Sequence, residues 1–323
     1  AWVPSAGAEV PRSPLELPPG QTRRVVTTMV PTRRGDRPAA AVTVRSLGPL
    51  GLAGRQVSLL APWTVRALPA FGSRKHLPSR LARLRELDGR ASVQVRGQGT
   101  EFDSLREYVV GDDVRSIDWR ATARAADVVV RTWRPERDRR VVIVLDTGRT
   151  SASRLGDTTR LDAAMDAALL LAALASRAGD RVDLLAYDRR VRADVRGVSG
   201  GDLLGALTTA MAPLESELVE IDARGLAAAV LARVRQRSLV VLLTALDPAP
   251  LEEGLLPVLP LLTARHQVLL AAVRDPAVEA MAAARSDAAE VYGAAAAAAS
   301  LAARDAMRDR LVRLGVEVVD APA

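Results

Sequence analysis

The sequence contains no cysteine. Disulfide staples, thiolate metal sites and cysteine nucleophiles are thereby excluded, while either redox compartment stays open. Lysine is almost absent too: Lys75, in "SRKHLP", is the only one. A phosphate-cradling P-loop needs a Gly-Lys-[Ser/Thr] triplet, so the chain is no P-loop ATPase. Only two histidines occur. His76 sits in an expected loop and His266 opens an apolar run. A Ser-His-Asp triad would have to recruit one of them, and no Gly-x-Ser-x-Gly elbow is present. Aromatic residues make up 3% of the chain, so its core must be built from leucine, valine and alanine. The same scarcity removes the aromatic-plus-basic platforms that stack on single-stranded nucleic acid. No apolar run reaches the roughly 20 residues that span a bilayer. The longest candidate, residues 163–175, carries Asp166. No signal-peptide pattern is seen. The chain starts at Ala1 without a methionine, and is expected to be a soluble piece of a protein whose membrane segments lie outside it.

What is present is a chain of 323 residues, 49% hydrophobic. That is enough for two domains of ordinary size. The 45 basic and 38 acidic residues leave a net charge of +7. Arginines interleave with acids, as in "RPERDRR" at 134–140. The charge is therefore read as a compositional bias, and no nucleic-acid partner is expected.

Three segments emerge. Residues 1–70 are expected to form a small β-sandwich-like module. After a Pro/Ser/Gly-rich lead-in, short β-branched runs at 22–30, 39–46, 55–61 and 64–70 alternate with turn residues. Residues 71–136 hold a connecting helix, with leucines at helical spacing over 77–87, and a polar segment. Residues 137–323 alternate strands with helices, among them a helix over 250–262 with proline at its first turn and an Ala-rich helical region over 276–314, which implies parallel pairing through right-handed crossovers. The continuous runs "VVIVLD" (141–146), "SLVVLLTALD" (238–247) and "HQVLLAAVRDP" (266–276) predict strands buried on both faces. "RVDLLAYD" and "RVRADVRG" predict a hairpin. The fold class expected is α/β, a doubly wound sheet of Rossmann type.

In such a sheet, ligands bind beyond the carboxyl ends of the strands. Three expected strands end in acids: Asp146, Asp247 and Asp275. Acids gathered there can form an oxygen-only site for a hard cation such as Mg²⁺ or Mn²⁺. The alternative is that Asp146 only caps its loop, with the neighbouring hydroxyls satisfying backbone donors.

The stretch "VLDTGRTS" followed by a long helix resembles the metal-ion-dependent adhesion site of von Willebrand factor A domains. The resemblance implies a von Willebrand A-like sheet and a degenerate form of that site. Asp146 and Thr150 match the first loop, Gly148 replaces a hydroxyl, and Asp247 stands for the acid of a later loop. No threonine matches in "VEIDARGL", which offers Asp222.

A second resemblance is longer. "LREYVVGDDVRSIDWRATAR" (105–124) is similar to the signature of the bacterial family known as domain of unknown function 58. The residues that carry it are Arg106, Tyr108, Gly111, Asp112, Asp113, Arg115, Asp118, Trp119 and Arg124. Bidentate arginine–carboxylate pairing would make this block a charge network over Trp119. It would either lock the segment against the α/β domain or present a docking surface. The family resemblance implies a von Willebrand A-like domain, membrane helices upstream, and a MoxR-type AAA+ ATPase as partner.

The resulting expectation is a non-enzymatic interaction module at the cytoplasmic face of the membrane. It would serve as a partner or adaptor of that ATPase in envelope or complex assembly. The rivals are a metal-dependent hydrolase using the carboxylates at 112–118 and a purely structural cell-envelope protein.

Overall fold

The computed structural model describes residues 2–9, 12–39, 41–91, 101–109, 112, 114–124, 127–134 and 139–322. Gly111 and Asp113 of the signature lie outside them. Elements of the α/β part are numbered here from residue 140 onward.

Six strands form one mixed sheet: β1 (Arg140–Asp146), β2 (Arg181–Tyr187), β3 (Val191–Val195), β4 (Leu239–Leu243), β5 (Gln267–Arg274) and β6 (Val316–Pro322). Their spatial order is β3-β2-β1-β4-β5-β6. Only the β2–β3 pair is antiparallel; the other four pairings are parallel. The expected hairpin and the three buried runs are all found in these places.

Helices cover both faces. In β1, Val142 and Val144 point into a cluster with α3 (Ala223–Arg233), α4 (Leu259–Thr263) and α6 (Ala288–Arg313). Val141, Ile143 and Leu145 alternate with them and meet α1 (Arg160–Arg177) and α2 (Asp202–Met211) on the other face. A strand covered on both sides has no polar face to offer, which is why its sequence reads as an unbroken apolar run. Helix α1 begins at Thr159, whose hydroxyl accepts the Asp162 N–H at 3.1 Å. It ends before Gly179, which takes the left-handed φ of 86° that a side chain would resist.

One expectation is changed. The helix foreseen over 250–262 breaks into a turn at Pro248–Pro250, a π-type turn at Leu251–Leu255 and α4. Pro257 and Pro260 lack the N–H groups a continuous helix needs. The Ala-rich region is helical as expected, in two helices, α5 (Pro276–Ala283) and α6.

The first 70 residues differ more. The run 22–30 forms no strand, only a bridge between Ala8 and Met29. Strands at Gly35–Pro38 and Thr64–Ala67 pair with each other, and those at Ala41–Leu47 and Gly54–Leu60 form a separate hairpin. Neither ladder extends beyond two strands among the described residues. This region is tied to the α/β part by Arg34, which pairs with Asp162 at 2.5 Å and donates to the Leu214 carbonyl. The Ser73 N–H donates to Asp166 at 3.1 Å, and Phe71 packs on the cluster beneath α1. Asp166, the one charge in the longest apolar run, is used there. The helix expected over 77–87 is present as Leu77–Ala91.

Candidate functional site

The parallel register decides what meets at the carboxyl edge. Leu145 of β1 is opposite Leu243 of β4, and Asp146 is opposite Tyr187 of β2. The next residue on β4, Thr244, therefore comes level with Asp146. Its hydroxyl donates to Asp146 Oδ2 at 2.5 Å. The Thr150 hydroxyl donates to the same oxygen at 2.9 Å, and the Gly148 N–H to Oδ1 at 2.7 Å. Asp146 is 4% exposed. Burial pushes its pKa up, against the three donated bonds, and the nearby negative charge of Asp188 adds to the rise.

Asp188, which follows β2, is equally buried but of opposite tendency. Burial alone would raise its pKa too. Bonds donated by the Arg189 N–H (2.5 Å), Arg192 Nε (2.6 Å) and the Arg190 N–H (3.2 Å) outweigh burial and hold it low. The Thr147 hydroxyl donates a further bond at 3.1 Å. Two carboxyl groups on neighbouring strands are thus set apart, one with its pKa raised and one with it lowered.

Above Asp146 lies a small cleft of about 30 Å³. Its walls are Leu226, Leu242, Leu251 and Leu255, with Thr244 and Asp146 as the polar floor. Arg149 and Glu220 form an ion pair at its rim. Gly148 is needed here for close approach. A Cβ on it would stand 2.9 Å from the Val219 carbonyl oxygen and 3.1 Å from Asp146 Oδ1. The loop before α3 fills the space that a hydroxyl side chain at 148 would use.

Of the three candidate ligands, Asp146 and Thr150 are joined directly. Asp247 is not bonded to either. Its carboxylate lies between Arg160 Nη1 (3.2 Å) and Arg304 Nη1 (3.4 Å). Arg160, from the first turn of α1, also donates to the Thr150 carbonyl at 3.0 Å, and so links the two halves of the edge. Arg304 continues to the buried Asp320 of β6 at 2.8 Å. Asp275 caps α5, accepting the Ala277 N–H at 2.9 Å, and Asp222 caps α3, accepting the Gly225 N–H at 3.0 Å. No three His, Asp or Glu side chains converge in a metal-like group among the described residues. A hard cation needs several oxygens free to turn towards it. Here Asp146 already accepts three bonds and Asp247 lies between two guanidinium groups, so this donor set fits Mg²⁺ or Mn²⁺ poorly.

The signature segment is a hairpin, Glu101–Glu107 with Val129–Arg134, carrying a long excursion between its strands. Arg106 grips Asp112 with two bonds of 2.7 and 2.6 Å, and the Val109 N–H adds a third at 2.9 Å. Asp118 caps the turn Trp119–Thr122 by accepting from Arg120 N–H and Ala121 N–H, and its other oxygen takes Arg131 Nε at 2.8 Å. These bonds hold the pKa of Asp118 low. The pairs close within the segment rather than onto the α/β part. Trp119 does not pack beneath them: it is 67% exposed, because the turn that Asp118 caps directs it outward. Arg115 and Arg124 are exposed, and Tyr108 is half-buried with its N–H bonded to the Val128 carbonyl at 2.7 Å.

Sequence reading missed Thr244, Asp188 and Arg160. Each had a weak signal: a polar residue directly after an apolar run, or one at the first position of a helix. Only the register of adjacent strands shows that they face Asp146 or its loop.

Comparison with curated proteins gives no significant match. A family model described as "Protein of unknown function DUF58" matches residues 104–313, from the signature hairpin to the end of α6. That span holds both the Arg106–Asp112 and Asp118–Arg131 pairs and the whole edge around Asp146, and the chain belongs to the DUF58 family.

Proposed function

We propose that the chain is a non-enzymatic protein-interaction module whose carboxyl edge docks a protein partner. That partner is a MoxR-type AAA+ ATPase, and the module acts as its adaptor at the cytoplasmic membrane in envelope or complex assembly. The reading rests on one observation: a recessed, leucine-walled cleft with a buried carboxyl floor and a charged rim lies at the sheet edge where ligands of such sheets bind. The strand order, with its single antiparallel edge strand, supports a doubly wound, von Willebrand A-like description.

The adhesion site of that fold is degenerate here, and docking relies on hydrogen bonds, apolar contact and the Arg149–Glu220 rim rather than on a shared cation. Two features favour this over a hydrolase built on residues 112–118. Asp112 and Asp118 are both occupied by arginine partners, and each pair is closed by further bonds from its own segment, the Val109 N–H to Asp112 and the Arg120 and Ala121 N–H groups to Asp118. The test is a pull-down with the nucleotide-free ATPase, with and without EDTA. Capture is expected in both conditions and is lost in Arg149→Glu combined with Leu251→Asp. No capture in any condition ends the adaptor reading. Among the described residues no helix is long and apolar enough to cross a membrane.

A further inference from the structure

The net charge of +7 is unevenly placed. From Arg37 to Arg85 the sequence has eight arginines and Lys75 but no aspartate or glutamate. The remainder of the chain is slightly acidic. In the middle of this acid-free stretch stands the hairpin Ala41–Leu47/Gly54–Leu60. Apart from the half-buried Ala41, every residue of its two strands is exposed.

The hairpin has two unlike faces. Its register sets Val42 against Leu59 and Val44 against Val57, so these four share one face. The opposite face carries the Thr43–Ser58 pair, hydroxyl to hydroxyl at 3.0 Å, and the Arg45–Gln56 pair at 2.8 Å, with Leu47 and Leu60 at its two ends. The tip of the hairpin is apolar: Leu50 and Leu52 are 82% and 88% exposed. A two-stranded hairpin is marginal in water unless something covers it. A contiguous exposed apolar surface of this kind marks an interaction site.

We infer that this hairpin docks onto the surface of an anionic lipid bilayer. Leu50, Leu52 and the valine-leucine face enter the boundary between headgroups and acyl chains. Arg55, which the register places on that face, and Arg45, on the other strand, lay their stems along that surface and reach lipid phosphates. The charge pattern selects this occupant. The hairpin offers lipid phosphates Arg45 and Arg55 and, like the whole sequence from Arg37 to Arg85, no carboxylate to repel them. A nucleic acid offers phosphates but nothing in which to bury three leucines. A second copy of the chain would bring an equally acid-free surface, and like charges would oppose the contact. The inference is independent of the docking role of the carboxyl edge, since the two sites share no residue.

The experiment is flotation of the full chain with phosphatidylcholine vesicles, with and without phosphatidylglycerol. Binding is expected only when phosphatidylglycerol is present, and it falls as salt rises. Each arginine near the surface is worth about a fivefold change in partitioning, so Arg45→Glu with Arg55→Glu should weaken binding at least about 25-fold. Leu50→Ser with Leu52→Ser should weaken it at least about tenfold. Both variants change exposed positions, and an unaltered melting temperature verifies that they fold. No binding to the anionic vesicles, or binding unaffected by both double variants, overturns the inference. So does self-association in sedimentation equilibrium that the leucine variant abolishes while vesicle binding is absent.

Discussion

Replacing Asp146 by alanine and by asparagine should have opposite consequences. Alanine removes the acceptor for three donors: the Gly148 N–H and the hydroxyls of Thr150 and Thr244. The backbone N–H cannot turn elsewhere and is left unsatisfied, at about 1–3 kcal/mol. Each hydroxyl bond lost adds about 0.5–1.5 kcal/mol. The total is about 3 kcal/mol, or a fall in Tm of about 6–12 °C for a unit of this size. Asparagine keeps the arrangement. Its carbonyl accepts from Gly148, and its two N–H groups reach the hydroxyl oxygens at the position of Oδ2. It also carries no charge to desolvate. Because the folded-state pKa of Asp146 is raised above the ordinary 3.8, its contribution is fully present below that value and declines as pH rises through the folded pKa. Differential scanning fluorimetry across pH is the assay. Asp146→Asn should gain on the wild type as pH rises above the ordinary carboxylate range. If asparagine is as damaging as alanine at every pH, Asp146 is not a buried acceptor whose charge is disfavoured.

Other outcomes follow from the same geometry. Gly148→Ser restores the missing hydroxyl in sequence but drives its Cβ to 2.9 Å from the Val219 carbonyl. It should cost about 1–3 kcal/mol in urea unfolding and confer no cation affinity. Asp188→Asn breaks a buried pair with Arg192 and should destabilise by about 3 kcal/mol. It should also lower the pKa of Asp146, read by carbon NMR of the carboxyl, because one source of its elevation is removed. His266 is buried with neither ring nitrogen hydrogen-bonded, and burial together with the charge of Arg265 lowers its pKa. Its contribution is present above the ordinary 6.5 and is lost as pH falls towards the folded pKa. His266→Met should flatten the acid side of the stability curve.

Much of the α/β part was legible because strand burial leaves a plain record. "VVIVLD" has no polar alternation, and only a strand covered on both faces tolerates that. The β2–β3 hairpin was equally plain from its apolar alternation and intervening charged turn. The helix over 250–262 was not, since its leucine spacing outweighed three prolines in the reading. At the edge, Asp146 and Thr150 are bonded as two residues four apart in one loop can be. The partner of Asp247 was not legible, because no sequence pattern shows that Arg160, 87 positions away, pairs with it. Trp119 was expected inside and is outside, because a cap at Asp118 sets its direction, not its hydrophobicity. The acid-free stretch from Arg37 to Arg85 was visible in the sequence, but the whole-chain balance of charge concealed it.

If the acids of the proposed docking edge are already committed to protein donors, a divalent cation finds no site there. Calorimetric titration of the chain with Mg²⁺ and then Mn²⁺ should give heats indistinguishable from dilution for both ions, in the wild type and in Asp146→Asn alike. A saturable heat in the wild type that Asp146→Asn abolishes would mean the edge is a cation site after all.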